Sequence, residues 1–191
     1  MENTKYCLCC DEQVVSSVIE RQGKREERCI YCGFILDVQK EKPLRISTKK
    51  GHALIAEDSR YTRKMIEEIL QEKNFSGYIE SFENGADLVS AYARLLSEKK
   101  NVDVAIIDLN MPVLDGLKTA MTLRTLEVQK DAGSVPIVFF SGVKADDDLK
   151  RLLEELAPAV YFNKSTDPDP DKLAKRIEEL VGFILTEYKR E

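Results

Sequence analysis

The 191-residue chain contains no tryptophan and a single histidine, His52. It also has no glycine-rich nucleotide loop, so it lacks the parts of a histidine kinase. His52 stands at the start of a short apolar strand and reads as structural rather than as a ligand or phosphodonor. Apolar runs are short, as in Val104–Ile107 and Ile137–Phe140, against the roughly 20 residues a spanning helix needs. No membrane contact is therefore expected. The first residues carry no apolar core of the kind a signal peptide requires, which points to a cytoplasmic location. A strong basic stripe is missing too. Residues 1–50 hold ten Lys or Arg against eight Asp or Glu, a net +2, and the rest hold 19 against 26, a net −7. The densest basic patch, Arg21, Lys24, Arg25 and Arg28, is interleaved with Glu20, Glu26 and Glu27 and reads as a solvated hairpin loop.

Cysteine is absent beyond residue 32, and all five cysteines lie within the first 32 residues. In a cytosolic chain such clustering points to a metal site or a redox motif rather than a disulfide framework. The remaining composition, 43% hydrophobic and 33% charged, is that of a globular protein. The length fits one full-sized domain with a small appendage.

Three segments follow from the pattern. Residues 1–38 show no long helical period. Val14, Val15, Val18 and Ile19 precede a turn at Gln22 and Gly23, and a second β-prone stretch runs from Cys29 to Leu36, as in a hairpin. Residues 39–50 are polar and basic, contain Pro43 and read as a linker. Residues 51–191 alternate apolar strands with amphipathic helices. The strands are expected at 53–56, 78–82, 102–107, 135–140 and 159–162, and the helices at 59–73, 86–99, 117–130, 145–156 and 171–188. Asp169 and Pro170 supply an N-cap and a first helical residue for the last helix. Five βα units with near-continuous apolar strands imply an α/β fold with a doubly wound, five-stranded parallel sheet covered on both faces. Such sheets collect ligands at the carboxyl ends of their strands.

Those strand ends carry the chemistry. Strand one ends in Glu57 and Asp58, strand three in Asp108, strand four in Ser141 and Gly142, and strand five just before Lys164. One Asp at a strand end is ordinarily a turn former. Three carboxylates, a lysine and a hydroxyl at one sheet edge form instead a hard oxygen site suited to Mg2+ and a phosphoryl group.

Residues 51–187 resemble the receiver domain of two-component response regulators, a flavodoxin-like fold. The resemblance rests on Leu54-Ile55-Ala56-Glu57-Asp58, on Ile106 to Gly116 with Asp108, Asn110, Met111, Pro112 and Asp115, on Phe140-Ser141-Gly142 and on Tyr161 to Lys164. It implies that Asp108 takes a phosphoryl group from a phosphohistidine on a sensor histidine kinase or phosphotransfer protein. It implies that Asp58, Asp108 and the carbonyl of Asn110 hold Mg2+, with Glu57 acting through water. Lys164 would pair with the phosphoryl group, Ser141 would hydrogen-bond it, and Tyr161 would turn inward. Ser165 stands where receivers usually carry proline. A cis bond before a non-proline residue costs about 3 kcal/mol, so a trans loop is expected there.

Cys7 with Cys10 and Cys29 with Cys32 form two C-x-x-C knuckles at the spacing of a four-cysteine zinc site. A segment this short rarely folds on its core alone, which gives a metal a structural role. The segment therefore looks like a small β zinc ribbon. Iron held by the same thiolates and free thiols are the alternatives. Cys9 is left over, either an unused thiol or a competitor of Cys7. The leading reading is a phosphoacceptor module with Mg2+ and Zn2+ as cofactors, acting through protein contacts on an unnamed downstream partner. It works on its own side chain and is not expected to be an enzyme. Two others stand beside it: a nucleic-acid-binding regulator using the ribbon, and a scaffold with an unphosphorylated pseudo-receiver.

Overall fold

The computed structural model describes residues 4–21, 24–36, 51–142, 144–164 and 169–187. The expected linker at 39–50, the turn at Gln22 and Gly23, and Ser165 lie outside them. Among the described residues no helix is long and apolar enough to cross a membrane.

Among the described residues, eight strands form two sheets, accompanied by five helices. The first sheet is antiparallel, in the order β1 (Thr4–Cys7), β2 (Glu12–Arg21), β3 (Lys24–Cys29). It departs from the expected hairpin in two ways. Thr4–Cys7 adds a strand too short for its alternation to be read. The partner of β2 is the charged segment Lys24–Cys29, expected to be loop, and not Cys29–Leu36, in which Ile35 makes only an isolated bridge to Arg28. The charges suit a strand because Glu27 is paired across the sheet and Glu26 along its own strand. Glu27 accepts from Lys5 Nζ and from Ser16 Oγ, both at 2.5 Å, and Arg28 pairs with Glu26 at 2.6 Å. After Cys29 the chain makes a turn and returns alongside β3 only briefly, with Cys29 N donating to Phe34 O and Leu36 N to Glu27 O.

The second sheet is parallel, in the order β5-β4-β6-β7-β8, with β4 His52–Ala56, β5 Tyr78–Phe82, β6 Val102–Asp108, β7 Ile137–Ser141 and β8 Ala159–Asn163. The helices between and after them are α1 (Arg60–Glu72), α2 (Gly85–Ser97), α3 (Gly116–Lys130), α4 (Asp147–Glu155) and α5 (Pro170–Glu187). This is the flavodoxin-like α/β arrangement, with the strand order reversing between β4 and β6. Side chains one residue before each helix fix where it starts. Ser59, Asn84, Asp115 and Asp146 each accept from a backbone N–H three residues on, and Asp169 accepts from Asp171 N at 3.0 Å. α1 and α5 pack side by side, where Ile66, Ile177 and Leu180 meet Ile106, Val138 and Phe140 of the sheet. α2 and α3 pack side by side in the same manner. A buried polar knot ties α3 to α2 and to the segment before β7: Glu127 accepts from Tyr92 Oη and Val135 N, both at 2.7 Å, and is bound by Arg124. Burial of Ala53–Ala56 and Val104–Ile107 along their whole length explains their continuous apolar sequence.

Candidate functional site: an acidic cluster and a thiol cluster

The reversal of strand order opens a crevice at the carboxyl ends of β4 and β6. There Glu57 follows β4 directly and Asp108 closes β6. Carboxylate oxygens of Glu57, Asp58 and Asp108 lie within 4.8 Å of one another, with Glu57 and Asp108 buried and Asp58 exposed. A hard divalent cation with water in part of its shell fits such a donor set.

Lys164, immediately after β8, reaches across to this cluster. Its Nζ lies 2.9 Å from Asp108 Oδ2 and 2.8 Å from Glu57 Oε2. The residue is aimed by its own backbone, since Lys164 N donates to Ser141 O at 2.7 Å. Burial works against the ammonium, but the hydrogen bonds with Asp108 and Glu57 win and hold its pKa above the usual lysine value. Glu57 is pushed the other way: burial raises its carboxyl above the usual range against the pull of Lys164. Arg63, buried on α1, fixes the strand end by donating to Glu57 O at 2.6 Å and to Glu83 at 2.8 Å.

The loop after β6 wraps the acidic site. Asp108 Oδ1 accepts from Asn110 N at 3.3 Å, and Gly116 N donates to Leu109 O at 3.0 Å. A Cβ at Gly116 would stand 2.3 Å from the Asp108 carbonyl, so the loop closes only over a residue without one. Ser141 is fully buried at the end of β7. Tyr161 lies apart from this group. Its hydroxyl accepts from Asn163 Nδ2 at 2.7 Å, and it lines a cavity of about 210 Å³ with Cys10, Tyr31 and Lys144. Burial raises its phenol to about 12.

The second cluster is built by the two knuckles. Sulfurs of Cys7, Cys10, Cys29 and Cys32 lie within 4.8 Å of one another, Cys7 to Cys32 at 3.6 Å and Cys10 to Cys29 at 3.8 Å. Four sulfurs at ~2.3 Å from a tetrahedral ion stand about 3.8 Å apart, close to the two separations found here. The knuckles close alike. Asp11 N donates to Cys7 O and Gly33 N to Cys29 O, each at 2.9 Å, with Asp11 at φ 62° and Gly33 at φ 75°. Tyr31 N points at Cys29 Sγ, 3.4 Å away. Hydrogen bonds from Cys10 and Cys32 lower the pKa of the Cys29 thiol. Cys9 is fully buried beside the four, and burial raises its thiol.

Two residues that the sequence reading passed over join the clusters. Arg176 on α5 is 5% exposed. It donates to Leu8 O at 3.0 and 2.7 Å and pairs with Asp11 at 3.1 Å. Asn163 N donates to Cys9 O at 2.7 Å. The one available signal was positional: Arg176 falls four residues before Leu180 on the apolar stripe of α5, as Arg63 falls three before Ile66 on that of α1.

Residues 53–178 match the family model of the response regulator receiver domain. The sensory transduction protein LytT of Oceanobacillus iheyensis is 26% identical over 154 residues, covering 71% of this chain and 59% of LytT. Histidine protein kinase 1 of Candida albicans is 32% identical over 149 residues, covering 76% of this chain and 6% of the kinase. The chain thus spans less than two thirds of the length of these curated relatives. Among solved structures, the phosphorylated cyanobacterial phytochrome response regulator RcpA superposes with a TM-score of 0.59 at 19% identity, covering 73% of this chain and 97% of RcpA. The receiver domain of the Arabidopsis thaliana histidine kinase CKI1, complexed with Mg2+ and BeF3-, gives 0.56 at 20% identity, covering 68% and 89%.

Proposed function

This chain belongs to the response regulator receiver family, and from that premise we propose that it is the phosphoacceptor of a two-component phosphorelay. The donor is a phosphohistidine on a sensor histidine kinase or phosphotransfer protein. A carboxylate oxygen of Asp108 attacks phosphorus, the P–N bond breaks, and the imidazole leaves. The observation that carries this reading is Lys164, which spans Asp108 and Glu57 with one ammonium at the sheet edge where Asp58 also stands. Asp58, Asp108 and the Asn110 carbonyl would hold Mg2+, with Glu57 acting through water. The ion supplies charge neutralisation for the transferring phosphoryl oxygens. Lys164 pairs with a phosphoryl oxygen once transfer has occurred, Ser141 hydrogen-bonds another, and Tyr161 follows the rearrangement. The chemistry takes place on the protein's own side chain.

The N-terminal sheet is read as a zinc ribbon held by Cys7, Cys10, Cys29 and Cys32. Support comes from the tetrahedral spacing of the four sulfurs and the paired closing turns of the knuckles.

Intact mass after incubation with Mg2+ and acetyl phosphate tests the phosphoacceptor. One phosphoryl mass is expected on the native protein and none on Asp108→Ala. A folded native protein that gains no mass is a pseudo-receiver, and the reading fails.

A further inference from the structure

The N-terminal sheet is seated on the C-terminal edge of the parallel sheet, against β8, α4 and α5, and the contact is made chiefly by the metal-binding knuckles themselves. Leu8 and Cys9 are the two residues between Cys7 and Cys10. Their carbonyls receive the Arg176 guanidinium, and Cys9 O also receives Asn163 N. Arg176 lies over the Phe162 ring, its guanidinium carbon 4.5 Å from the ring centroid, and its remaining charge meets Asp11 at the end of the same knuckle. The second knuckle is gripped as well. Lys150 of α4 donates to Ile30 O at 2.6 Å, and Phe34 meets Phe183 of α5 edge-on at 5.2 Å.

Asn163 is the hinge between the two clusters. Its backbone N–H is tied to the knuckle and its side chain to Tyr161. The next residue is Lys164, whose N–H is tied to Ser141 and whose ammonium holds Asp108 and Glu57. A phosphoryl group on Asp108 exchanges the single carboxylate charge for about two, spread over three oxygens, where the ammonium now meets it. Lys164 and Ser141 must then find new partners, and Asn163 is one peptide away. In the other direction, the Leu8 and Cys9 carbonyls point at Arg176 and Asn163 only while Cys7 and Cys10 are drawn together in a tight turn.

We propose that the cysteine module and Asp108 are coupled through this clamp, so that phosphoryl uptake loosens the metal-bound knuckles and loss of the metal eases phosphoryl uptake. The module is then both a second input, reading metal supply, and the in-cis occupant that the phosphoryl switch displaces. The inference rests on the phosphoacceptor and four-thiolate assignments above. By linkage the two effects must be equal in size at equilibrium.

Zinc transfer from the full chain to a chromogenic chelator, with and without Mg2+ and beryllofluoride, tests one direction. Beryllofluoride titration of zinc-loaded and zinc-depleted protein in excess Mg2+, followed by 19F NMR, tests the other. Beryllofluoride is expected to weaken zinc binding, read as the equilibrium distribution of zinc between protein and chelator, and zinc depletion to tighten beryllofluoride binding, each by about fivefold or more. Arg176→Ala should remove both effects while one zinc and one phosphoryl group still load. Lys150→Ala, a milder cut at the second knuckle, should reduce them and serves if Arg176→Ala does not fold. Zinc content and intact mass are measured on the same samples. If either site fails to load, the assignments above fall and this inference with them. If both load with no mutual effect, or with an effect that neither variant changes, the inference alone is overturned.

Discussion

The Lys164 ammonium lies 2.8 Å from one oxygen of Glu57, a carboxylate with only 1% of its surface exposed. The same ammonium serves Asp108 at 2.9 Å, so one cation answers two buried anions. Removing it leaves both uncompensated. Lys164→Gln should lower stability by about 2 kcal/mol at pH 7, read from urea unfolding. The folded-state pKa of Lys164 is raised, so its contribution is complete below the ordinary value of 10.5 and is lost as pH climbs through the folded value. The gap between native and Lys164→Gln should therefore close in alkali. A gap that stays constant to high pH would contradict the pairing.

Glu57 has the opposite sign. Burial raises its carboxyl above the usual 4.5, so ionising it opposes folding, and the native protein loses stability as pH rises through that window. Glu57→Gln should be more stable than native at pH 7 by about 1 kcal/mol, as expected of a site kept for function. Its advantage should shrink as pH falls toward 4.5, the ordinary carboxyl value. Urea midpoints at two pH values decide it, and a variant weaker than native at pH 7 would refute it.

The strands and helices of the parallel sheet were legible because their burial is one-sided or complete, and each repeats a period that side chains display. The acidic site was legible for a related reason. Glu57, Asp58, Asp108, Ser141 and Lys164 are all side chains at strand ends, which sequence order alone brings to one edge. The seating of the N-terminal sheet was not, because it is written in backbone groups: Leu8 O, Cys9 O, Ile30 O and Asn163 N have no signature in the sequence. The strand Lys24–Cys29 was hidden by its charges: Glu27 is answered across the sheet by Lys5 and Ser16, which local pattern cannot connect to it, and Glu26 by Arg28 of the same strand.

Zinc stoichiometry separates the five thiols. The native chain should carry one zinc by elemental analysis, and Cys7→Ser or Cys32→Ser should lose it together with amide protection in β1 to β3. Cys9→Ser should keep it, because Cys9 contributes its carbonyl to Asn163 rather than its sulfur to the set of four. Loss of zinc from Cys9→Ser with retention in Cys7→Ser would exchange their roles.

Gly116→Ala places a methyl carbon 2.3 Å from the Asp108 carbonyl, which is backbone and cannot swing aside. A loss of about 1–3 kcal/mol is expected from overpacking, with slower phosphoryl uptake by intact mass because the clash falls on the acceptor itself. Native-like stability with native uptake would show that the loop closes differently.

The clamp between the knuckle and α5 also sets an order of events during synthesis. Leu8 and Arg176, which it joins, are 168 residues apart in the chain. At ribosomal rates of 5–20 residues per second, roughly 10–30 s separate their emergence. The cysteine knuckles are therefore translated well before the surface that receives them exists. Through that interval Phe34 and the Leu8 and Cys9 carbonyls have no partner. A nascent chain stalled before α5 should present them to solvent and to chaperones, and should release them on completion.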